Sequence, residues 1–260
     1  MTIRIKKFIK AFLRSRSINF AIEFGGGNQG KPLSIKILNW KNLTYHYRTG
    51  TSDSFVAYEC FLHGKKNAYM SPHLPRPSSV RTIVDVGANV GASVLFWHSI
   101  YPDASIYCFE PVTSNFEILQ LNIQGLSDVQ AYNEALGDTD GELTFIHSPS
   151  LGNEGGWSAF QRGAQGDEMK IPVPVRKSGG RLLDLGIAEI DILKVDTEGA
   201  EKIIVSGLGD NLLSKTRYIC GELHGERDFE FLDFLESKGF LVGARKSPKS
   251  KLFNFEAIRN

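Results

Sequence analysis

The chain has 260 residues, 42% hydrophobic and 23% charged, the balance of a soluble globular protein. That excludes a mostly disordered, collagenous or multi-span membrane protein, and leaves room for one α/β domain with an appendage or two small domains. Net charge is only +1, so the chain as a whole is no polyanion binder, yet Arg4, Lys6, Lys7, Lys10, Arg14 and Arg16 crowd the first 22 residues, which hold no acid; the remaining 24 basic and 29 acidic groups leave the rest at −5.

Residues 1–16 read as a basic amphipathic helix, with Ile5, Phe8, Ile9 and Phe12 at i, i+3, i+4, i+7. Its stripe suits either the membrane interface or the protein's own core. Lysines interrupt the apolar residues, so no signal peptide is expected, and no apolar run approaches the roughly 20 residues of a membrane span. The expected location is cytoplasmic, with possible contact at the inner face of an anionic membrane through residues 1–16. Leu33 to Tyr47 reads as a small hairpin, Arg48 to Asp53 as a polar loop and Phe55 to Leu62 as helical. His73 to Ser79, with Pro75 and Pro77, reads as a linker. We therefore divide the chain into an N-terminal extension, 1–80, and a main domain, 81–260.

From Arg81 short apolar runs alternate with helical segments. Strands are expected at 82–86, 105–109, 129–132, 190–195 and 217–222, and helices at 92–100, 115–123, 200–208 and 228–238. Ser114 and Glu117 form a capping-box pattern before the second of these helices. Runs at 240–244 and 252–258, split by a basic turn, read as a closing antiparallel hairpin. The alternation predicts an α/β, doubly wound Rossmann-like sheet of about seven strands. The glycine-rich stretch 148–166, with Trp157 and Phe160, interrupts it and reads as a binding loop or lid. Cys60, Cys108 and Cys220 are far apart and without a CxxC, as expected of buried, reduced thiols.

The chemistry concentrates at strand ends. Asp85 to Gly91 (DVGANVG) closes one strand and opens a helix, and glycines there let the backbone approach a ligand. Glu110 ends the next strand, where a carboxylate can hold both hydroxyls of a ribose. The glycine spacing is G-x-x-x-G rather than the G-x-G-x-x-G of a dinucleotide site. The adjacent carboxylate disfavours a pyrophosphate and suits an ammonium or sulfonium, both of which S-adenosylmethionine carries.

The segments 85–91, Phe109-Glu-Pro111, Asn133 to Asp138 (NEALGD) and Leu193 to Glu201 (LKVDTEGAE) resemble the successive motifs of FkbM-type methyltransferases. Arg48 to Asp53 is similar to a segment of members tied to surface glycans. The resemblance implies a class I methyltransferase fold, S-adenosylmethionine as donor, and an oxygen acceptor on a sugar or polyketide. It implies that Asp85, Gly87, Asn89 and Gly91 serve the methionine end of the cofactor. Glu110 and Pro111 would serve the ribose, and Asn133, Glu134 and Ala135 the adenine.

Asp196, which would also line the cofactor, ends the fourth strand. Glu198 and Glu201 follow it, and His224 follows the fifth strand. Three acids in six residues also suit a solvated helix start. Methyl transfer from a sulfonium mainly needs alignment, while a hydroxyl acceptor benefits from a base, and Asp196, Glu198 or His224 could serve. Trp157, Ser158, Lys194 and Asp53 are the expected acceptor contacts. No metal is expected. A nicotinamide-dependent oxidoreductase would want a third glycine, and a non-catalytic cofactor-binding module would not need all of Asp85, Glu110 and Asp196. Nucleic acid is not an expected partner, because the chain beyond residue 22 is acidic. The expected activity is O-methylation of a glycan or other small polyol or polyketide hydroxyl, as in polysaccharide biosynthesis.

Overall fold

The computed structural model describes residues 3–26, 33–64, 67–147, 169–223, 229–246 and 253–259. Two helices open it, α1 (Ile3–Ser15) and α2 (Ile18–Phe24). The chain breaks between them at Arg16, whose φ is +55°, and Ser17 caps α2 by accepting the Phe20 N–H. The antiparallel hairpin β1 (Ile35–Trp40) and β2 (Leu43–Arg48) follows, then α3 (Asp53–Ala57), which runs into a π-helical turn over Tyr58–Leu62.

The main sheet alternates as its sequence suggests: β3 (Thr82–Val86), α4 (Ala92–Ile100), β4 (Ser105–Phe109), α5 (Thr113–Ile123) and β5 (Val129–Tyr132). A separate three-stranded sheet, β6 (Ala135–Gly137), β7 (Gly141–His147) and β8 (Met169–Lys177), interrupts the pattern. Then come α6 (Ser178–Asp184), β9 (Ile190–Val195), α7 (Glu201–Gly207), α8 (Gly209–Ser214), β10 (Thr216–Leu223) and α9 (Phe229–Ser237). The strands β11 (Leu241–Lys246) and β12 (Phe253–Ile258) close the chain. The seven-stranded order is β11-β12-β10-β9-β3-β4-β5, with only β12 antiparallel to its neighbours. The closing hairpin is therefore antiparallel, as the sequence suggested.

Successive strand residues face opposite sides. Ile83, Ile106, Ile192 and Tyr218 point to one face, where they share a core with Phe20, Tyr45, Tyr47, Phe61 and Trp97. Val84, Phe109, Leu193 and Ile219 point to the other, against Leu182, Val205, Leu212 and Phe231 of the later helices. The segment before residue 81 thus packs into the core of the sheet itself. Within α1, Ala11 is fully buried and Phe8 and Phe12 rest on that core, while Ile5 and Ile9 stay exposed. The single apolar stripe expected from the sequence is split between two faces.

Two local expectations need correcting. No side-chain capping bond forms at the start of α5, because the helix begins at Thr113 and takes Ser114 inside it. The strand β8 was not expected, since Pro172 and Pro174 argue against a strand. Both prolines sit where β8 has β7 as its one neighbour; β6 joins only from Val175, so the missing N–H groups cost no ladder bond.

Candidate active site

One register row runs across five parallel strands. Tyr132 pairs with Phe109, Phe109 with Val86, Val86 with Val195 and Val195 with Gly221. The next residue on each strand is Asn133, Glu110, Gly87, Asp196 and Glu222; the first four leave the sheet there, while Glu222 stays in β10 opposite Asn254 of β12. The fold therefore lines these five up along one rim. Chain order reverses between β3 and β9, the switch point where doubly wound sheets bind ligands.

The turn after β3 is held from two sides. Gly87 has φ +75°, and a Cβ there would lie 2.0 Å from the Asp196 carbonyl oxygen, so the close approach of β9 demands glycine whatever binds above. Gly91, at φ +85°, starts α4 against Leu119. Between them Asn89 donates its backbone N–H to Glu110 Oε2 at 2.8 Å, and Val112 donates to Glu110 Oε1 at 2.9 Å. The Glu110 carboxylate thus ties the β3 turn to the end of β4. Burial raises its pKa to about 7, against the lowering effect of the Val112 and Asn89 N–H groups. Asn89 Oδ1 is buried at this turn without a hydrogen-bond partner.

Asp85 of β3 and Lys194 of β9 pair beside the switch point and are buried there. Lys194 Nζ lies 3.0 Å from Asp85 Oδ1 and donates to the carbonyls of Val86 and Gly87. Both side chains are enclosed. Burial opposes the Lys194 charge, but Asp85 and Asp196 outweigh it and hold the ammonium above its ordinary pKa. Lys194 is therefore not an acceptor contact, and Asp85 spends its charge below the turn instead of at its mouth.

Asp53 is likewise corrected. It is fully buried and takes Arg48 Nε on Oδ2 and Arg48 Nη2 on Oδ1, each at 2.9 Å, while the Arg48 backbone N–H also bonds Oδ2. Arg48 Nη2 continues to Asn115 Oδ1 and Nη1 to the Ser114 carbonyl. The pair fastens the N-terminal segment to α5.

On the adenine side, Asn133 donates its amide to the carbonyls of Glu110 and Pro111, bracing that turn. Glu134 pairs with Arg181, whose guanidinium lies 4.8 Å from the centre of the Tyr132 ring. Ala135 is buried with Val173 and Val175.

At the end of β9, Tyr69 donates its hydroxyl to Asp196 Oδ2 at 3.0 Å. Glu198 has φ +59°, a strained setting for a non-glycine residue. Glu201 holds that turn, its Oε1 accepting the N–H groups of Thr197 and Gly199. Two more acids share this corner. Burial and then the Asp196 charge raise Glu59 to about 7. Burial, then Asp196, Glu59 and Glu198, push Glu222 well above the carboxylate range. Glu222 lies one residue before the end of β10, in the register row that holds Asp196 on β9. Glu59 and Tyr69 arrive from the N-terminal segment, and no sequence signal pointed to them. Among the described residues no group of three or more His, Cys, Asp or Glu side chains is arranged to hold a metal. His224, Trp157, Ser158 and Phe160 lie outside the described residues.

A family model described as the Methyltransferase FkbM domain matches residues 85–242. The 31-O-demethyl-FK506 methyltransferase FkbM of Streptomyces tacrolimicus is 29% identical over 203 residues, covering 66% of this chain and 76% of its own. The 2-O-methyltransferase NoeI of Sinorhizobium fredii is 27% identical over 168 residues, covering 60% and 68%. Among solved structures, the fibrillarin of Aeropyrum pernix in complex with natively bound S-adenosyl-L-methionine shares the fold at TM-score 0.52 and 12% identity, covering 89% of this chain and 86% of its own.

Proposed function

This chain belongs to the FkbM methyltransferase family, and from that premise we propose that it is an S-adenosylmethionine-dependent O-methyltransferase acting on a hydroxyl of a sugar, glycan or similar small polyol or polyketide. The observation that carries the reading is the Glu110 carboxylate, fixed at the end of β4 by the N–H groups of Asn89 and Val112. The rim offers acceptors: Glu110, the partnerless Asn89 Oδ1 and Asp196. Such a set fits the ribose hydroxyls and ammonium of S-adenosylmethionine, which are donors, and repels the pyrophosphate of a nicotinamide cofactor.

When bound, that cofactor supplies an electrophilic methyl carbon and a neutral leaving group. Glu110 would hold its ribose hydroxyls, with Asn89 at the methionine end and Asn133 and Pro111 shaping the adenine side. Gly87 and Gly91 shape the turn, and the Asp85–Lys194 pair supports it from below. Asp196 or Glu198 would take the proton of the acceptor hydroxyl as it attacks. Beside them, burial and the neighbouring acids push the Glu222 carboxyl well above the carboxylate range and raise Glu59 to about 7. Names of relatives as 31-O- and 2-O-methyltransferases support oxygen as the acceptor atom. His224 as a base, and Trp157 and Ser158 as acceptor contacts, remain part of the proposal.

The test is methyl release from labelled S-adenosylmethionine with a panel of free sugars, nucleotide sugars, lipid-linked sugars and macrolides. Stoichiometric transfer to a hydroxyl of one class supports the reading. Transfer only to nitrogen or carbon acceptors would overturn the O-methyl assignment.

A further inference from the structure

We propose that the outer face of α1 and α2 is a docking surface for an anionic lipid bilayer, independently of the methyl-transfer reading. The structure gives α1 two apolar faces. Phe8, Ala11 and Phe12 are used in the core. Ile5, Ile9 and Leu13 follow one another at i+4 on a second face and are between 42% and 59% exposed. On α2, Ile18 and Ile22 repeat the spacing and are also exposed. A hollow lined by Ile5, Phe8, Ile22 and Arg4 lies between the helices, so the two exposed rows form one patch.

The exposed charge of α1, α2 and the Arg16 joint between them has one sign. Arg4, Lys6 and Lys7 of α1 and Arg16 at its end are exposed, while Lys10 lies over the Tyr58 ring and Arg14 reaches the Leu62 carbonyl. The one acid of α1 and α2, Glu23, is buried and accepts the Gly50 N–H. Exposed apolar residues on helices whose exposed charges are all cationic match the acyl and headgroup layers of an anionic interface. A twofold contact between copies would set the same cations against each other. Nucleic acid would satisfy the cations but leave five large aliphatic side chains in water.

Vesicle co-sedimentation of the full-length protein tests this, with phosphatidylcholine alone or mixed with phosphatidylglycerol. At about 0.1 M salt the protein should pellet with the anionic vesicles alone, and binding should fall at least tenfold at about 1 M salt, where the screening length drops to about 3 Å. The double variants Ile9→Asp/Leu13→Asp and Lys6→Glu/Lys7→Glu should each lose at least tenfold in binding while keeping the wild-type melting temperature. The charge variant keeps the test valid should the apolar one fail to fold. Absence of binding at low salt, equal binding to neutral vesicles, or wild-type binding by the folded variants overturns the proposal. A solution dimer that dissociates in Ile9→Asp/Leu13→Asp, with no vesicle binding, also overturns it and assigns the face to a second copy.

Discussion

The substitution Asp53→Asn separates a structural role from an acceptor-binding one. The carboxylate is fully enclosed and receives three N–H groups of Arg48, whose side chain is only 10% exposed. An amide in its place would keep the shape but turn a donor toward a guanidinium and remove the charge facing it. Breaking a buried pair by removing one partner costs about 3–5 kcal/mol, because the desolvated partner keeps its charge. That is a large share of the roughly 5–15 kcal/mol that holds a domain together, and corresponds to a melting temperature lower by roughly 6–20 °C in a chain of this size. Because the N-terminal segment shares its core with the sheet, the loss should appear in one cooperative transition. Urea unfolding followed by tryptophan fluorescence, with calorimetry in parallel, measures it. Arg48→Met/Asp53→Leu, which removes both charges, should recover part of the loss. A stability within about 1 kcal/mol of wild type, or a raised acceptor KM in a variant of unchanged stability, would refute the structural assignment.

Lys194→Met should destabilise by a similar 3–5 kcal/mol, since it strands the fully buried Asp85, and denaturant midpoints will show whether it does. Gly87→Ala should unfold the turn, because its Cβ would lie 2.0 Å from the Asp196 carbonyl oxygen at a φ of +75°; wild-type stability would contradict the packing. Asp196→Asn or Glu198→Gln should slow single-turnover methyl transfer at saturating cofactor by about 10²–10⁴-fold, as rapid-quench kinetics will report. For Glu110 the sign of the pH effect is set by a pKa raised from 4.5 to about 7 in the fold. Its contribution to stability is complete below about pH 4.5 and lost as pH rises through about 7, at most about 3 kcal/mol. Glu110→Gln should flatten the fall in unfolding free energy across that window, and an unchanged profile would reject the shift.

The parallel strands were legible because burial on both faces leaves short, continuous apolar runs. Thr82–Val86, Ser105–Phe109 and Ile190–Val195 fall at the expected residues. The rim positions Glu110 and Asp196 followed from the strand ends alone. What a side chain spends its charge on did not. Lys194 and Asp85 lie 109 residues apart in sequence and meet only through the β3–β9 register. Asp53 sits in a polar string that reads as a surface loop, and its burial depends on α5 supplying Asn115 and the Ser114 carbonyl. Tyr69 reaches Asp196 across 127 residues of sequence. The strand β8 was hidden by two prolines that its partly open edge tolerates.

The cofactor assignment turns on what Glu110 holds. Calorimetric titration of the wild-type protein and of Glu110→Ala with S-adenosylmethionine, and of the wild type with NAD, tests it most directly. Charge-assisted hydrogen bonds to two ribose hydroxyls contribute about 1.5–3 kcal/mol each. The account predicts saturable binding of S-adenosylmethionine, affinity at least tenfold weaker in a Glu110→Ala variant that keeps its circular dichroism spectrum, and no binding of NAD. Equal affinity in the folded variant, or tighter binding of NAD than of S-adenosylmethionine, would contradict it.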